Sequence, residues 1–404
     1  MSGFCVQSDS MSNPTSALSS TADRAPPFAV VCAAGFCALA VAMGIGRFAF
    51  TPMLPLMIEH GSADVAKGGW LAAANYAGYL IGALVAARVP LTPQRLTLAA
   101  LAAIAILTAG MGWTTSALSW ALLRFAAGIA SAWVLVSTSV WCLEWLALHG
   151  RPAGAGLLYA GVGAGIAVAG LWCWRAGADG VAPDLLWLQL GALAVAGLVI
   201  VALSMPRGVP MTARKAEGLD ADAAENADWG LEICYGVLGF GYILPATFLP
   251  VLARAVIADA AGFGIAWPVF GATAAGSTLF AALLFAGRSR RRVLASSYLL
   301  MALGCVLPVL HLSLSTVLAA ALLVGGTFMV ATMAGMQAAR AGASGDPTRA
   351  LGRMTAAFAI GQISGPVAAS LLGTGADGLG GLTIALAAAA LALVAGAAWL
   401  WRSG

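Results

Sequence analysis

Two arginines, Arg47 and Arg124, fall inside long apolar runs of the chain. A cation at bilayer depth costs roughly 2.5–3.5 kcal/mol on insertion scales, so such residues face a bundle interior or a wet cavity and have a task there. A guanidinium presents a planar fork of donors that fits a carboxylate or phosphate two-handed. Acids are missing from the middle of every run: Glu144 and Glu232 fall at predicted ends on one side, and Glu59 at an end on the other. Two core cations without a core acid leave an anion as the missing counter-charge. Arg47 is therefore the first candidate for an anion ligand, set against the plainer reading that it satisfies carbonyls of a helix broken near Pro52. For Arg124 two readings stand side by side: a ligand, or a lock that holds helices together through neighbouring carbonyls.

Other polar candidates follow from helical spacing. Asn75 and Tyr79 share a face at i,i+4, as do Phe358 and Gln362. Tyr242 occupies the place of Arg47 in a second copy of the surrounding stretch. Each reads equally as a solute contact or as ordinary interhelical hydrogen bonding. Metal chemistry lacks a ligand cluster: His60, His149 and His311 fall at loops or helix ends, and no cofactor is expected. Six of the 7 cysteines lie in or beside apolar runs and read as free thiols, not a disulfide framework. Gly342-Ala343-Ser344-Gly345 has the look of a serine nucleophile motif, but it falls in a basic loop and no histidine sits in a span to serve as base. The chain does not read as an enzyme, and its cationic loops do not read as nucleic-acid-binding.

The elements that must position these residues are membrane helices. Hydrophobic residues make up 61% of the chain and charged residues 9%, against about 25% charged in soluble domains. Twelve apolar runs, near 28–57, 68–88, 95–113, 117–142, 153–174, 184–205, 230–253, 263–286, 293–311, 314–338, 350–372 and 379–401, each suffice to cross a core of about 30 Å. They are continuous and not alternating, which favours helices over a barrel. With the amino terminus inside, the inner loops collect most of the Lys and Arg, while the outer loops hold only Lys67, Arg175 and Arg254. That asymmetry puts both termini in the cytoplasm of a multi-pass protein. Residues 1-27 read as a disordered cytoplasmic segment and not as a secretory signal, because the following apolar stretch is too long and carries Arg47.

The chain also repeats itself. Gly44, Gly46, Leu54 and Pro55 recur as Gly239, Gly241, Leu249 and Pro250, Trp70 as Trp267, Arg95 as Arg292, and Arg151, Gly154 and Gly163 as Arg349, Gly352 and Gly361, at a nearly constant offset. The polar piece between the copies divides the chain into a six-helix bundle over 28-205, a cytoplasmic linker over 206-229 and a second six-helix bundle over 230-404. Parallel six-span halves related by an axis along the membrane normal suit a cavity between them.

Several motifs carry a resemblance. Gly44–Met57, Asn75-Tyr76-Ala77-Gly78-Tyr79-Leu80-Ile81-Gly82, Gly345-Asp346-Pro347, Met354-Thr355-Ala356-Ala357-Phe358 and Gly361-Gln362-Ile363-Ser364-Gly365-Pro366 resemble the YbfB/YjiJ-like branch of the major facilitator superfamily, over about 28–402. Arg124 and Gly128 resemble the Arg-x3-Gly pattern common there. Two patterns depart: Ala86 stands where an acid usually follows Gly82 in the loop between spans 2 and 3, and the span-5 glycines Gly161, Gly163 and Gly165 lack the antiporter proline. The resemblance implies an all-α carrier of the bacterial inner membrane working by alternating access. The expected cargo is a small organic anion such as a carboxylate, with Arg47, Arg124, Asn75, Tyr79, Tyr242 and Gln362 around it, in a monomer embedded in lipid. An efflux carrier for amphiphilic compounds stays open as an alternative. So does a non-transporting membrane sensor, which would need an output domain.

Overall fold

In lipid every backbone polar group must be satisfied within its own segment, so the apolar runs have one solution, the α-helix. The computed structural model describes residues 27–205, 228–256, 266–285, 287–343, 346–372 and 380–403. Expectations for residues 1–26 and 206–227, for Ser344 and Gly345, and for the side chains of Leu249, Pro250, Arg254 and Pro366 lie outside that description. Among the described residues the chain forms twelve long helices and no strand: α1 (Phe28–Glu59), α2 (Val65–Val85), α3 (Pro93–Gly110), α4 (Ala117–Leu148), α5 (Ala155–Ala178), α6 (Pro183–Ser204), α7 (Trp229–Val256), α8 (Ala266–Leu284), α9 (Arg290–Leu310), α10 (Leu314–Gly342), α11 (Pro347–Leu372) and α12 (Gly380–Arg402). Ten of them are long and apolar enough, over their described residues, to cross a membrane.

Local chemistry sets the ends. Asp64 and Thr92 accept the backbone N–H groups of Lys67 and Arg95 at the starts of α2 and α3. Ser313 and Thr316 form a capping box at the start of α10. Pro93 and Pro183 occupy first turns, where no N–H is missed. The ends of α1 and α4 turn through Gly61 and Gly150 at φ +69° and +64°, a conformation that a Cβ would strain.

The two halves repeat one arrangement. In the first, α1 packs on α5, α2 on α4, and α3 on α4 and α6; in the second, α7 packs on α11, α8 on α10, and α9 on α10 and α12. Glycines permit these approaches. A Cβ on Gly128 would stand 2.2 Å from the carbonyl oxygen of Asn75, and one on Gly361 would stand 2.0 Å from that of Gly236. The halves meet along the whole of α5 and α8, where Gly156 faces Ala282, Gly163 faces Gly271 and Gly170 faces Pro268. They meet again between α2 and α11, where Gly352 lies against the Ala83 carbonyl. That second contact is at the end where Arg88, Arg95, Arg151, Arg290 and Arg349 cluster. Large apolar side chains such as Leu122, Leu203, Leu283 and Leu391 stand exposed around the bundle, a surface suited to acyl chains and not to water.

The first span is not α-helical throughout. Between Ala40 and Phe48 α1 is π-helical, with α-helix on either side. A π-helix widens the turn by one residue and is common at functional sites. Here Gly44 and Gly46 lie inside it, and Pro52 and Pro55 follow on its outer side.

Candidate functional site

The widened turn of α1 leaves main-chain carbonyls for other helices, and α4 takes them. Ser131 donates to the Ala42 carbonyl at 3.0 Å. Arg124 donates through Nη1 to Gly46 at 3.0 Å and through Nη2 to Arg47 at 3.1 Å, with its guanidinium carbon 4.7 Å from the Phe50 ring centroid. Proline supplies no N–H to the turn before it, and a buried carbonyl without a donor costs about 1–3 kcal/mol. Serving the broken helix therefore falls to Arg124 and not to Arg47. Asn75 of α2 completes the clamp, donating Nδ2 to the Arg124 carbonyl at 2.9 Å, while Gly128 fits under the Asn75 carbonyl.

Arg47 is left free for something else. Its side chain is 2% exposed and crosses to the second half, where Nη2 donates to Oε1 of Gln362 on α11. Nε and Nη1 have no hydrogen-bond partner among the described residues, nor has Gln362 Nε2. The guanidinium carbon lies 3.8 Å from the Tyr79 ring centroid and 5.5 Å from those of Tyr76 and Phe48. Aromatic faces attract a cation, and the attraction strengthens where water is excluded. Neutral groups thus surround this charge, and the nearest oxygen is an amide's.

Beside it lies a small cavity of about 20 Å³, room for a water or two, between the halves. Phe48, Tyr79 and Leu135 line it from one half, and Tyr235, Phe328 and Phe358 from the other. Tyr242, at the place of Arg47 in the repeat, stacks on Phe328 at 4.6 Å and on Phe358 at 6.2 Å.

Of the six residues singled out by sequence, Tyr79 lines this cavity, and Arg47, joined to Gln362, lies against its ring. Tyr242 backs its wall, and Arg124 and Asn75 hold α1 and α2 in place. Tyr76, Phe48 and Phe328 were not singled out. An aromatic residue in an apolar span reads the same whether it faces lipid or a cavity; only the spacing of Tyr76 from Tyr79, one turn, pointed inward.

The chain's sequence matches the protein family described as "Uncharacterised MFS-type transporter YbfB" over residues 39–400. No curated protein matches it. In fold it is similar to the crystal structure of the human organic anion transporter MFSD10 (TETRAN), at a TM-score of 0.73 and 14% identity, covering 93% of this chain and 100% of that one. At that identity the likeness is one of fold.

Proposed function

The chain belongs to this MFS-type transporter family, and we propose that it carries a small organic anion, most simply a carboxylate, across the bacterial inner membrane by alternating access. The observation that carries the reading is the buried Arg47 guanidinium, which lies against Phe48 and Tyr79 of the cavity wall and has two nitrogens without a hydrogen-bond partner among the described residues. A buried charge whose neighbouring oxygens are neutral is expensive, and an anion removes that cost. The amide oxygen of Gln362 stands where one carboxylate oxygen would bind. An incoming carboxylate displaces it and takes two parallel N–H bonds from Arg47, leaving Gln362 Nε2 to donate to the same cargo. The protein of similar fold, MFSD10, is described as an organic anion transporter, which agrees with this reading.

The roles divide accordingly. Arg47, Gln362, Tyr79 and, through the wall it supports, Tyr242 serve the cargo, while Arg124 and Asn75 fix the break in α1 from which Arg47 projects. The two bundles, divided within 206-229, rock about the site, with both termini cytoplasmic as the placement of arginines requires.

Purified protein screened against organic acids, sugars and amphiphilic cations tests the reading. An organic monoanion raises the melting temperature and is taken up by proteoliposomes. Arg47→Ala abolishes both effects and Arg47→Lys keeps a fraction, because a point charge lacks the bidentate fork. Undiminished uptake of that anion by Arg47→Ala would remove the idea.

A further inference from the structure

Resting on the anion reading of Arg47, we propose that the cargo is a monoanion with an aromatic body: one carboxylate for Arg47 and a flat ring for the wall of Phe328, Phe358 and Tyr242. Charge sets the first half of the inference. Of the two buried arginines, Arg124 commits both terminal nitrogens to carbonyls of α1. That leaves Arg47 as the cation beside the cavity, enough for a single negative charge. A second carboxylate would enter this apolar chamber without a partner, at the cost of burying an unpaired ion.

The walls set the second half. The hydroxyls among the cavity's lining are few, and two of them are already donating: Thr332 to the Phe328 carbonyl at 2.9 Å and Thr355 to the Leu351 carbonyl at 2.8 Å. A sugar or polyol, which needs many donors and acceptors, finds few here. Rings are plentiful. Trp267, Phe270, Phe328 and Tyr242 stack in succession with centroids 5.2, 5.5 and 4.6 Å apart. Tyr235 lies 5.5 Å from Phe358 on the other flank. Phe328 is held between Phe270 and Tyr242, and Phe358 packs on Tyr242 and Tyr235, so both rings are fixed in place where they border the cavity. Met43, Met329 and Met336 fill the rest. Unbranched thioethers repack readily and favour contact with aromatic edges. A cavity of about 20 Å³ has no room for a ring, so these side chains and the two halves must part to admit one.

The test uses full-length wild-type protein in detergent and in proteoliposomes, with phenylacetate, cyclohexylacetate, acetate and succinate as competing probes. Phenylacetate is expected to bind tightest, about fivefold above cyclohexylacetate (about 1 kcal/mol, the scale of an aromatic pair beyond its area) and far above acetate and succinate. Phe358→Leu is expected to bring the phenyl-to-cyclohexyl ratio toward one. If all four probes need Arg47 yet succinate, acetate or cyclohexylacetate equals phenylacetate, the aromatic-monoanion proposal is overturned and the anion reading stands. If phenylacetate binds Arg47→Ala as well as wild type, the anion reading itself fails. The ligand series on wild-type protein decides the matter even where the Phe358 variant folds poorly.

Discussion

Arg47 and Arg124 look alike in sequence and do opposite things in the structure. One gives both terminal nitrogens to main-chain oxygens on a neighbouring helix and leaves only Nε without a partner among the described residues; the other reaches past its own half to an amide and keeps Nε and Nη1 in reserve. Substitution separates the two. Arg124→Leu orphans the Gly46 and Arg47 carbonyls, and at about 1–3 kcal/mol for each buried group left unpaired it costs stability on the order of 2–6 kcal/mol. The expected result is a marked fall in melting temperature in detergent, with affinity for anions in the surviving folded fraction much less changed. Arg47→Gln does the reverse, removing a strained charge with little loss of stability and abolishing anion binding. Equal destabilisation by the two substitutions would undo this division of labour.

At the scale of elements, α1 is the helix that everything else serves. Its π-helical segment aims Arg47 inward, and its loosened carbonyls tie it to α4 through Ser131 and Arg124. Its counterpart α7 is plainly α-helical and is tied to α9 by neutral groups, Tyr298 donating to the Cys234 carbonyl at 2.6 Å. The two copies share the scaffold, and at this place one carries Arg47 and the other Tyr242. Two glycines of α1 should respond differently to a methyl group. On Gly44 a Cβ would stand 2.3 Å from the backbone of Gly165, which cannot yield, whereas on Gly46 it would meet only side chains, the Ile104 Cγ2 methyl at 2.8 Å and the Ser131 hydroxyl at 3.1 Å. Gly44→Ala is expected to cost about 1–3 kcal/mol by overpacking. Gly46→Ala is expected to cost clearly less, since the side chain can turn away and alanine is the better helix former. Thermal denaturation of the two variants side by side checks the order, which fails if Gly46→Ala is the weaker protein.

For the whole molecule, a cavity of about 20 Å³ is too small for an organic anion, so binding and passage both need the halves to move. Their longest seam is α5 against α8, and it is lined by glycine. A side chain at Gly163 would place its Cβ 2.4 Å from the Ala275 nitrogen and hold the seam apart. Gly163→Leu is therefore expected to retain anion binding, read as a thermal shift, while anion exchange in proteoliposomes falls by at least tenfold. Exchange at the wild-type rate would show that the seam need not close.

Much of this protein could be read before it was folded. The twelve spans, their two-fold repeat and the presence of a cation too costly to leave without a role all follow from composition and local pattern. The reason is that lipid obliges each segment to close its own backbone hydrogen bonds, so the helices are decided residue by residue. The tertiary structure alone decided which arginine was spent and which was free. The partner of Arg47 lies 315 residues along the chain, and the clamp of Arg124 depends on how closely glycine lets α1, α2 and α4 approach. Those distances are set by packing between helices, and no local stretch of sequence contains them.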